Sequence, residues 1–226
     1  MGKIAIVRKV EDLEKLRNYK DEERLTVFLL DNICFANGYY FLPINLPNTD
    51  VIIYGLNNCI NNLNVNNLTV NNSGLFGSVK NLYVKNLRMR DAKIKGNEVC
   101  GILAGHVEFD LNIDGIEIEG LVNSDAISGG LIGTGHRIKI TNSIIYPTIK
   151  GRGCLGGVAG MADTCDVENS IISATFKPTH IYSNGNNLID QYVGYLGSRE
   201  NKRVEALAQK VNDYLEDKEK IRGLNL

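Results

Sequence analysis

The sequence predicts an all-β fold, a right-handed parallel β-helix (solenoid) with coils of about 28 residues, a small N-terminal αβ cap and a C-terminal helix. The first observation is a repeated glycine turn. GLFG, GILAG, GLIG, GVAG and GYLG occur in that order, and their closing glycines are 28, 28, 27 and 37 residues apart. These closing glycines are Gly77, Gly105, Gly133, Gly160 and Gly197.

The second observation is a polar position that recurs once per coil. Asn86, Asp114, Asn142 and Asn169 each lie nine residues beyond a closing glycine, and Asn58 lies one period upstream of Asn86. Alternating apolar residues flank them, which is strand periodicity. We expect these positions to stack as a polar ladder, with a small bulge absorbing the offset of the apolar residues in the Asp114 coil.

The turns resemble those of the GLUG repeat domains of bacterial surface proteins. The matching features are the turns GLFG, GILAG, GLIG and GVAG, together with INNL at 60–63 and VKNL at 84–87, within about residues 10–197. A short helix at Val10 to Tyr19 and a strand at Leu25 to Leu30 resemble the segment that precedes such repeats. The resemblance implies a parallel β-helix and carries no catalytic signature.

Three segments follow along the chain: a capping strand, helix and strand at 1–50, the solenoid at 51–198, and an amphipathic helix at 199–226. Stacked coils bury a continuous core but leave open ends that must be covered. The last segment has an apolar stripe that either packs on the final coil, which we favour, or pairs with another copy as a homo-oligomer. The stripe contains Val204, Leu207, Val211 and Leu215.

Composition narrows the classes of partner. The formal net charge is -1, so no bulk charge draws the chain to nucleic acid or anionic lipid. The apolar run Ile4 to Val7 is too short for a signal peptide, and no segment reaches the roughly 20 apolar residues that span a bilayer. We therefore expect a cytoplasmic location, in the host cell if the chain is phage-encoded, and no membrane partner.

No cofactor or metal site is expected either. The five cysteines are odd in number and lack the close pairs of a zinc site, which favours reduced thiols in the core. The three histidines do not share a repeat position. No phosphate-binding loop or dinucleotide fingerprint is present.

Charge alternates in sign from coil to coil. Arg88 and Arg90 lie 29 residues before Glu117 and Glu119, so they are expected to form cross-strand pairs that help to fix the coil register. Alternating bands disfavour nucleic-acid binding, except within a ribonucleoprotein target. The two glutamates are also the candidate acids of a polysaccharide-cleaving enzyme.

The period breaks once, between Gly160 and Gly197, where about nine extra residues are expected to loop out around Lys177 to Asn187. Insertions in repeat folds often gather on the binding face. The candidate partner-binding residues are Lys177, His180, Tyr182, Asn187, Arg88 and Arg90.

The leading hypothesis is a non-enzymatic intracellular binding protein with a protein partner, such as an inhibitor from a phage or mobile element that blocks a host defence complex. One alternative is an adhesin-like or carbohydrate-binding module of an exported protein. The other is a small polysaccharide-cleaving enzyme.

Overall fold

The computed structural model describes residues 2–179 and 188–196, and it confirms a β-solenoid of about six turns built mainly from parallel strands. The first twelve strands are β1 Lys3–Val7, β2 Arg24–Leu29, β3 Ile33–Cys34, β4 Ile44–Tyr54, β5 Cys59–Asn61, β6 Asn64–Asn67, β7 Asn72–Ser73, β8 Phe76–Lys85, β9 Arg88–Gly96, β10 Val99–Cys100, β11 Ala104–Val107 and β12 Asp110–Asp114. The other twelve are β13 Glu117–Ser124, β14 Ile127–Gly129, β15 Ile132–Thr134, β16 Arg137–Thr141, β17 Ile144–Gly151, β18 Cys154–Gly156, β19 Ala159–Ala162, β20 Thr164–Glu168, β21 Ile171–Ile172, β22 Thr175–Pro178, β23 Leu188–Asp190 and β24 Val193–Leu196.

The strands form three parallel sheets, and each coil passes through them in the order A, B, C. Sheet A runs β1-β2-β4-β8-β11-β15-β19-β24, with β12, β16 and β20 paired alongside. Sheet B runs β3-β5-β9-β13-β17-β21 with β6 and β22, and sheet C runs β7-β10-β14-β18-β23. The register gives the period directly, because Ala104 pairs with Ile132 and Ile132 pairs with Ala159, 28 and 27 residues further on.

The core is formed by the inward residues of each strand, stacked coil upon coil. In sheet A one row contains Leu82, Leu111, Ile138 and Cys165, which pair in register and are all buried. Burying one such aliphatic side chain contributes about 1.5–3 kcal/mol relative to exposure. The alternating pattern in the sequence therefore marks the inward rows of the solenoid.

The first turn of the chain differs from the others because helices replace its second and third sides. Helix α1 (Val10–Lys15) and a 3₁₀ turn (Leu16–Tyr19) connect β1 to β2, and both bury leucines, Leu13 and Leu16, in the core. Sheets B and C begin later in the chain, at β3 and β7. Sheet A thus extends further than its neighbours at the N-terminal end.

The closing glycines lie where sheet C turns into sheet A. A Cβ atom at Gly105 would lie 2.5 Å from the backbone N of Ser73, and one at Gly133 would lie 2.9 Å from that of Cys100. The glycine turn is therefore explained by close backbone approach and not by positive φ. In the last coil the expected closing glycine was wrong: Ala159 pairs with Val193, so Gly194, 34 residues after Gly160, takes that place.

A different corner, between sheets A and B, carries the recurring asparagines. Asn86, Asn142 and Asn169 have φ values of 51°, 51° and 49°, in the left-handed region that asparagine tolerates. In the Asp114 coil the level residue is Gly115, with φ of 65°. The assignment of Asp114 to this row was wrong, since what the corner requires is left-handed backbone, which glycine supplies without an amide.

Two related expectations were also wrong. β12 pairs with β8 and β16 without a register break, so no bulge offsets the Asp114 coil. Asn58 does not belong to the asparagine row, because Tyr54 pairs with Lys85 and places Gly55 level with Asn86. The ladder is a row of turn conformations and not a continuous stack of amides.

The five cysteines are all free thiols. Cys59, Cys100 and Cys165 are buried as expected, and burial raises the pKa of the Cys100 thiol to about 12. Cys34 is exposed, so its assignment to the core was wrong. Within residues 2–179 and 188–196, no helix has the length and apolar character needed to cross a membrane.

Candidate functional site

The outer surface of sheet A changes character along the rod. Its first three strands present Ile4 and Ile6 on β1, Phe28 on β2, and Ile52 and Tyr54 on β4, and we call these five side chains the apolar face. They form two rows across the strands: one passes from Ile4 through Thr26 to Ile52, the other from Ile6 through Phe28 to Tyr54.

The local sequence explains why this face is apolar. Strands β1 and β2 and the end of β4 read KIAIV, RLTVFL and VIIY, with apolar residues at both inward and outward positions. Ala5, Val7 and Val27 point into the core, and the remaining apolar side chains of these runs are left on the outside. A strand buried on both faces has this pattern, whereas a half-buried strand alternates.

The apolar face is open to solvent. Ile4 and Ile6 are 66% and 56% exposed, and Tyr54 is 36% exposed. The rings of Phe28 and Tyr54 stack with centroids 5.2 Å apart, which makes a flat aromatic surface between adjacent coils. A contiguous patch of this kind on a soluble protein marks an interaction site more often than scattered apolar residues do.

A strained turn ends the face at the corner between sheets A and B. Leu56 and Asn57 both have positive φ, 52° and 63°, and Leu56 is 48% exposed. A branched side chain is rare in this conformation, so the surrounding structure must hold it. Arg88 does so, because its Nε donates to the carbonyl oxygen of Asn57 at 3.0 Å.

Towards the C-terminal coils the same surface becomes polar and forms what we call the sheet A groove, with a volume of about 430 Å³. At its centre Lys85 Nζ lies 3.1 Å from Asp114 Oδ2. Hydrogen bonds from Asn142, Lys85 and Thr141 lower the pKa of Asp114, so the carboxylate is charged and fully engaged. Other groove-lining side chains are Ile52, Tyr54, Tyr83, Asn112 and Lys139.

A smaller groove of about 170 Å³ lies between the histidines. His106 Nδ1 is 2.8 Å from Thr134 Oγ1, and His136 Nδ1 is 2.5 Å from Asp163 Oδ2. Burial lowers the pKa of His106, which favours its neutral form. Each histidine bonds across one coil step, which is a structural arrangement first.

The charge bands do form pairs between coils, as expected, but with a shifted partner. Arg90 Nη2 lies 3.0 Å from Glu117 Oε1, whereas Arg88, which is level with Glu117, bonds to Asn57 instead. The reason is a bulge opposite Glu119, which displaces the register between Ile118 and Gly120. Glu117 and Glu119 line neither of the two grooves described above.

The partner-binding residues predicted from sequence are not brought together with the apolar face. Arg90 is on the outer surface of sheet B, and Lys177 is exposed on β22, level with Lys150. The extra residues of the last coil fall between Pro178, which pairs with Gly151, and Leu188, which pairs with Cys154. His180, Tyr182, Asn187 and the helix stripe of Val204, Leu207, Val211 and Leu215 lie outside the described residues.

Sequence reasoning missed the apolar face, although a signal for it was present. The unbroken apolar runs at 4–7 and 51–54 contrast with the alternation of later coils. An unbroken run in a solenoid strand means that its outer side is apolar too, because no second layer covers that side.

Known proteins give no further guide. No protein-family model, curated protein or solved structure matches this chain significantly. The resemblance to GLUG repeats stays a prediction, and the function is argued from the surface alone. Among the described residues no cluster of three or more histidine, cysteine or acidic side chains could hold a metal ion.

Proposed function

We propose that this chain is a binding protein that engages another protein through the apolar face. The observation that carries the proposal is the exposure of Ile4, Ile6 and Tyr54 on three adjacent strands of one sheet. Burial of aromatic and aliphatic side chains at the centre of an interface supplies most of its binding energy.

Other outer surfaces of the rod are less suited to this role because their charges pair with one another. Arg137 with Asp110, Arg152 with Asp125 and Lys85 with Asp114 all bridge neighbouring coils. A partner that covered these pairs would desolvate them without adding new ones. A binder of this kind acts by occupying its partner's surface, as an inhibitor or an adaptor does.

The test is retention of a stoichiometric partner by the immobilised chain from extracts of its native host. We expect Tyr54→Ser combined with Ile6→Thr to abolish retention of the partner. The matched control is Tyr146→Ser, which removes a tyrosine that is 45% exposed on sheet B. Equal retention by both variants would remove the apolar face from the interface.

A second candidate, carbohydrate binding, is favoured by the sheet A groove. Tyr54 and Tyr83 line it beside the charged Lys85, Asp114 and Lys139, a combination of rings and polar groups suited to a sugar. Calorimetric titration with cello-, chito- and malto-oligosaccharides tests it. We expect saturable heat that Tyr83→Ser removes and Tyr146→Ser does not; the absence of heat with every oligosaccharide would exclude these ligands.

A further inference from the structure

We propose, resting on the proposed function, that the partner supplies an extended segment that pairs as a new strand with the open edge of β1. Such strand addition would continue sheet A by one strand beyond Lys3–Val7. The hydrogen bonds would come from backbone groups and the specificity from the apolar face beside them.

The backbone of β1 has hydrogen-bonding groups to offer on its open side. Val7 accepts from Leu30 N at 2.9 Å, so residue 7 directs its carbonyl to the next strand. In a parallel pair, alternate residues bond to the same neighbour, which leaves the N–H and C=O groups of Ile4 and Ile6 facing away from β2. Among the described strands, β1 pairs with β2 alone.

The edge also lacks the usual protection against strand pairing. Proteins guard such edges with proline, with bulges or with charges in the strand. β1 contains no proline, pairs with β2 in unbroken register, and has its one charge, Lys3, at the first residue. Ile4 and Ile6, at the middle of the edge, are the two most exposed residues of the apolar face.

The surroundings favour a single strand over the end of a second copy of this chain. Helix α1 follows β1 directly, and the flanking side chains of Lys9, Glu11 and Lys15 are 66%, 63% and 66% exposed. A second rod stacked end to end would have to desolvate these charges. A strand of about five residues would cover the edge and leave them in water.

The register predicts the chemistry of the incoming segment. Its outward side chains would continue the rows that begin at Ile4 and Ile6 and lead to Tyr54. Neighbours within a row lie about 4.8 Å apart, so apolar side chains at positions i and i+2 of the segment would pack on the two isoleucines. We expect an extended peptide with aliphatic or aromatic residues at alternate positions.

The experiment pans a phage-displayed library of random linear dodecapeptides against the full chain and measures the selected peptides by fluorescence anisotropy. Ile6→Pro removes an outward N–H and spares the bonds to β2, since proline is accepted on edge strands where its nitrogen faces solvent. Ile6→Thr keeps that N–H and removes apolar surface. We expect Ile6→Pro to weaken binding at least tenfold, and Ile6→Thr to weaken it less.

A second measurement leaves the protein unaltered, in case Ile6→Pro fails to fold. Peptides carrying N-methyl groups at alternate residues lose their donors in one of two registers. We expect one register to lose binding and the other to retain it. Equal loss or equal retention in both registers would overturn strand addition.

The remaining outcomes separate the two proposals. Peptides that bind Ile6→Pro normally but lose Tyr54→Ser would overturn strand addition and leave the apolar face as a binding surface. Peptides indifferent to both variants would contradict both proposals, and a failure to enrich any peptide would overturn the strand proposal. Self-association of the wild-type chain that Ile6→Pro abolishes would identify the occupant as a second copy and overturn it as well.

Discussion

Arg137 grips Asp110 of the preceding coil with two hydrogen bonds, from Nε to Oδ1 at 2.6 Å and from Nη2 to Oδ2 at 3.0 Å. The pair joins residues 27 positions apart in sequence and level in register. Because the opposite signs must be level, such pairs favour one stacking register of the coils over its alternatives.

The first prediction concerns this pair and pH. The hydrogen bond from Arg137 lowers the pKa of Asp110, so its stabilising contribution is present above the ordinary carboxyl pKa and is lost as pH falls through the lower, folded value. Asp110→Asn should therefore lower the urea midpoint at pH 7 slightly, and the difference from wild type should shrink below about pH 4. Asp125→Asn is the control, since Asp125 has one longer contact, 3.3 Å to Arg152. A larger effect of the control would contradict the prediction.

The second prediction concerns the glycine corner. Gly105→Ala would bring a methyl group within 2.5–2.8 Å of backbone atoms of Ser73 and Asn72, which cannot move without shifting a strand. We expect a loss of about 1–3 kcal/mol in the free energy of unfolding, measured by urea denaturation. Gly2→Ala is the matched control because its nearest neighbours are side-chain atoms of Arg24 at 3.5 Å. Unchanged stability in Gly105→Ala would show that the corner is looser than described.

The third prediction concerns the asparagine corner. Asn169 is exposed and has φ of 49°, so Asn169→Ala should cost about 1 kcal/mol through left-handed backbone strain. Asn169→Gly should cost less, since Gly115 already occupies the level position of another coil. Thermal unfolding of both variants measures the difference, and the reverse order would indicate that the amide and not the backbone matters.

The fourth prediction concerns His106. Burial lowers its pKa, so the unfolded chain binds the proton more readily and stability falls as pH drops below about 6.5. His106→Asn should lack this part of the pH dependence. Urea midpoints of both proteins between pH 8 and pH 5 measure it. Parallel curves through this range would mean that His106 is protonated equally easily in the folded state.

The fifth prediction separates two arginines that sequence analysis grouped together. Arg88→Ala should speed hydrogen exchange at the Asn57 amide, which donates to Asn86 O at 2.8 Å, and should weaken partner binding modestly by loosening the Leu56 turn. Arg90→Ala removes the contact with Glu117 and should leave both readouts unchanged. Equal effects of the two variants would place the interface on the surface of sheet B.

The sequence contained most of the architecture, because a solenoid repeats one local solution. Inward rows such as Leu82, Leu111 and Ile138 follow from alternation, and the closing glycines mark each coil. The exact row of a polar residue was harder to predict, since corners of different length carry it. Counting from Gly105 reached Asp114, one residue short of Gly115, which holds the left-handed turn.

The candidate site was less accessible to sequence analysis. Attention to charges and to the insertion selected Arg90 and Lys177, whereas the apolar face depends on which side of β1 and β4 remains uncovered. An apolar run alone does not distinguish a doubly buried strand from one whose outer side awaits a partner. That distinction required the sheet order and the exposure of Ile4 and Ile6.

The corners of the rod differ in how they tolerate changes of length. Where sheet C meets sheet A, Gly105 and Gly133 press backbone against backbone, so an added residue has nowhere to go. Where sheet B meets sheet C, most coils use two residues, yet the last one accommodates the whole stretch from Pro178 to Leu188 while the strands on either side stay paired. The solenoid thus has a seam that stays closed and another that can be opened. Foreign peptides or labels inserted after Asp125 or Arg152 should leave the coils stacked.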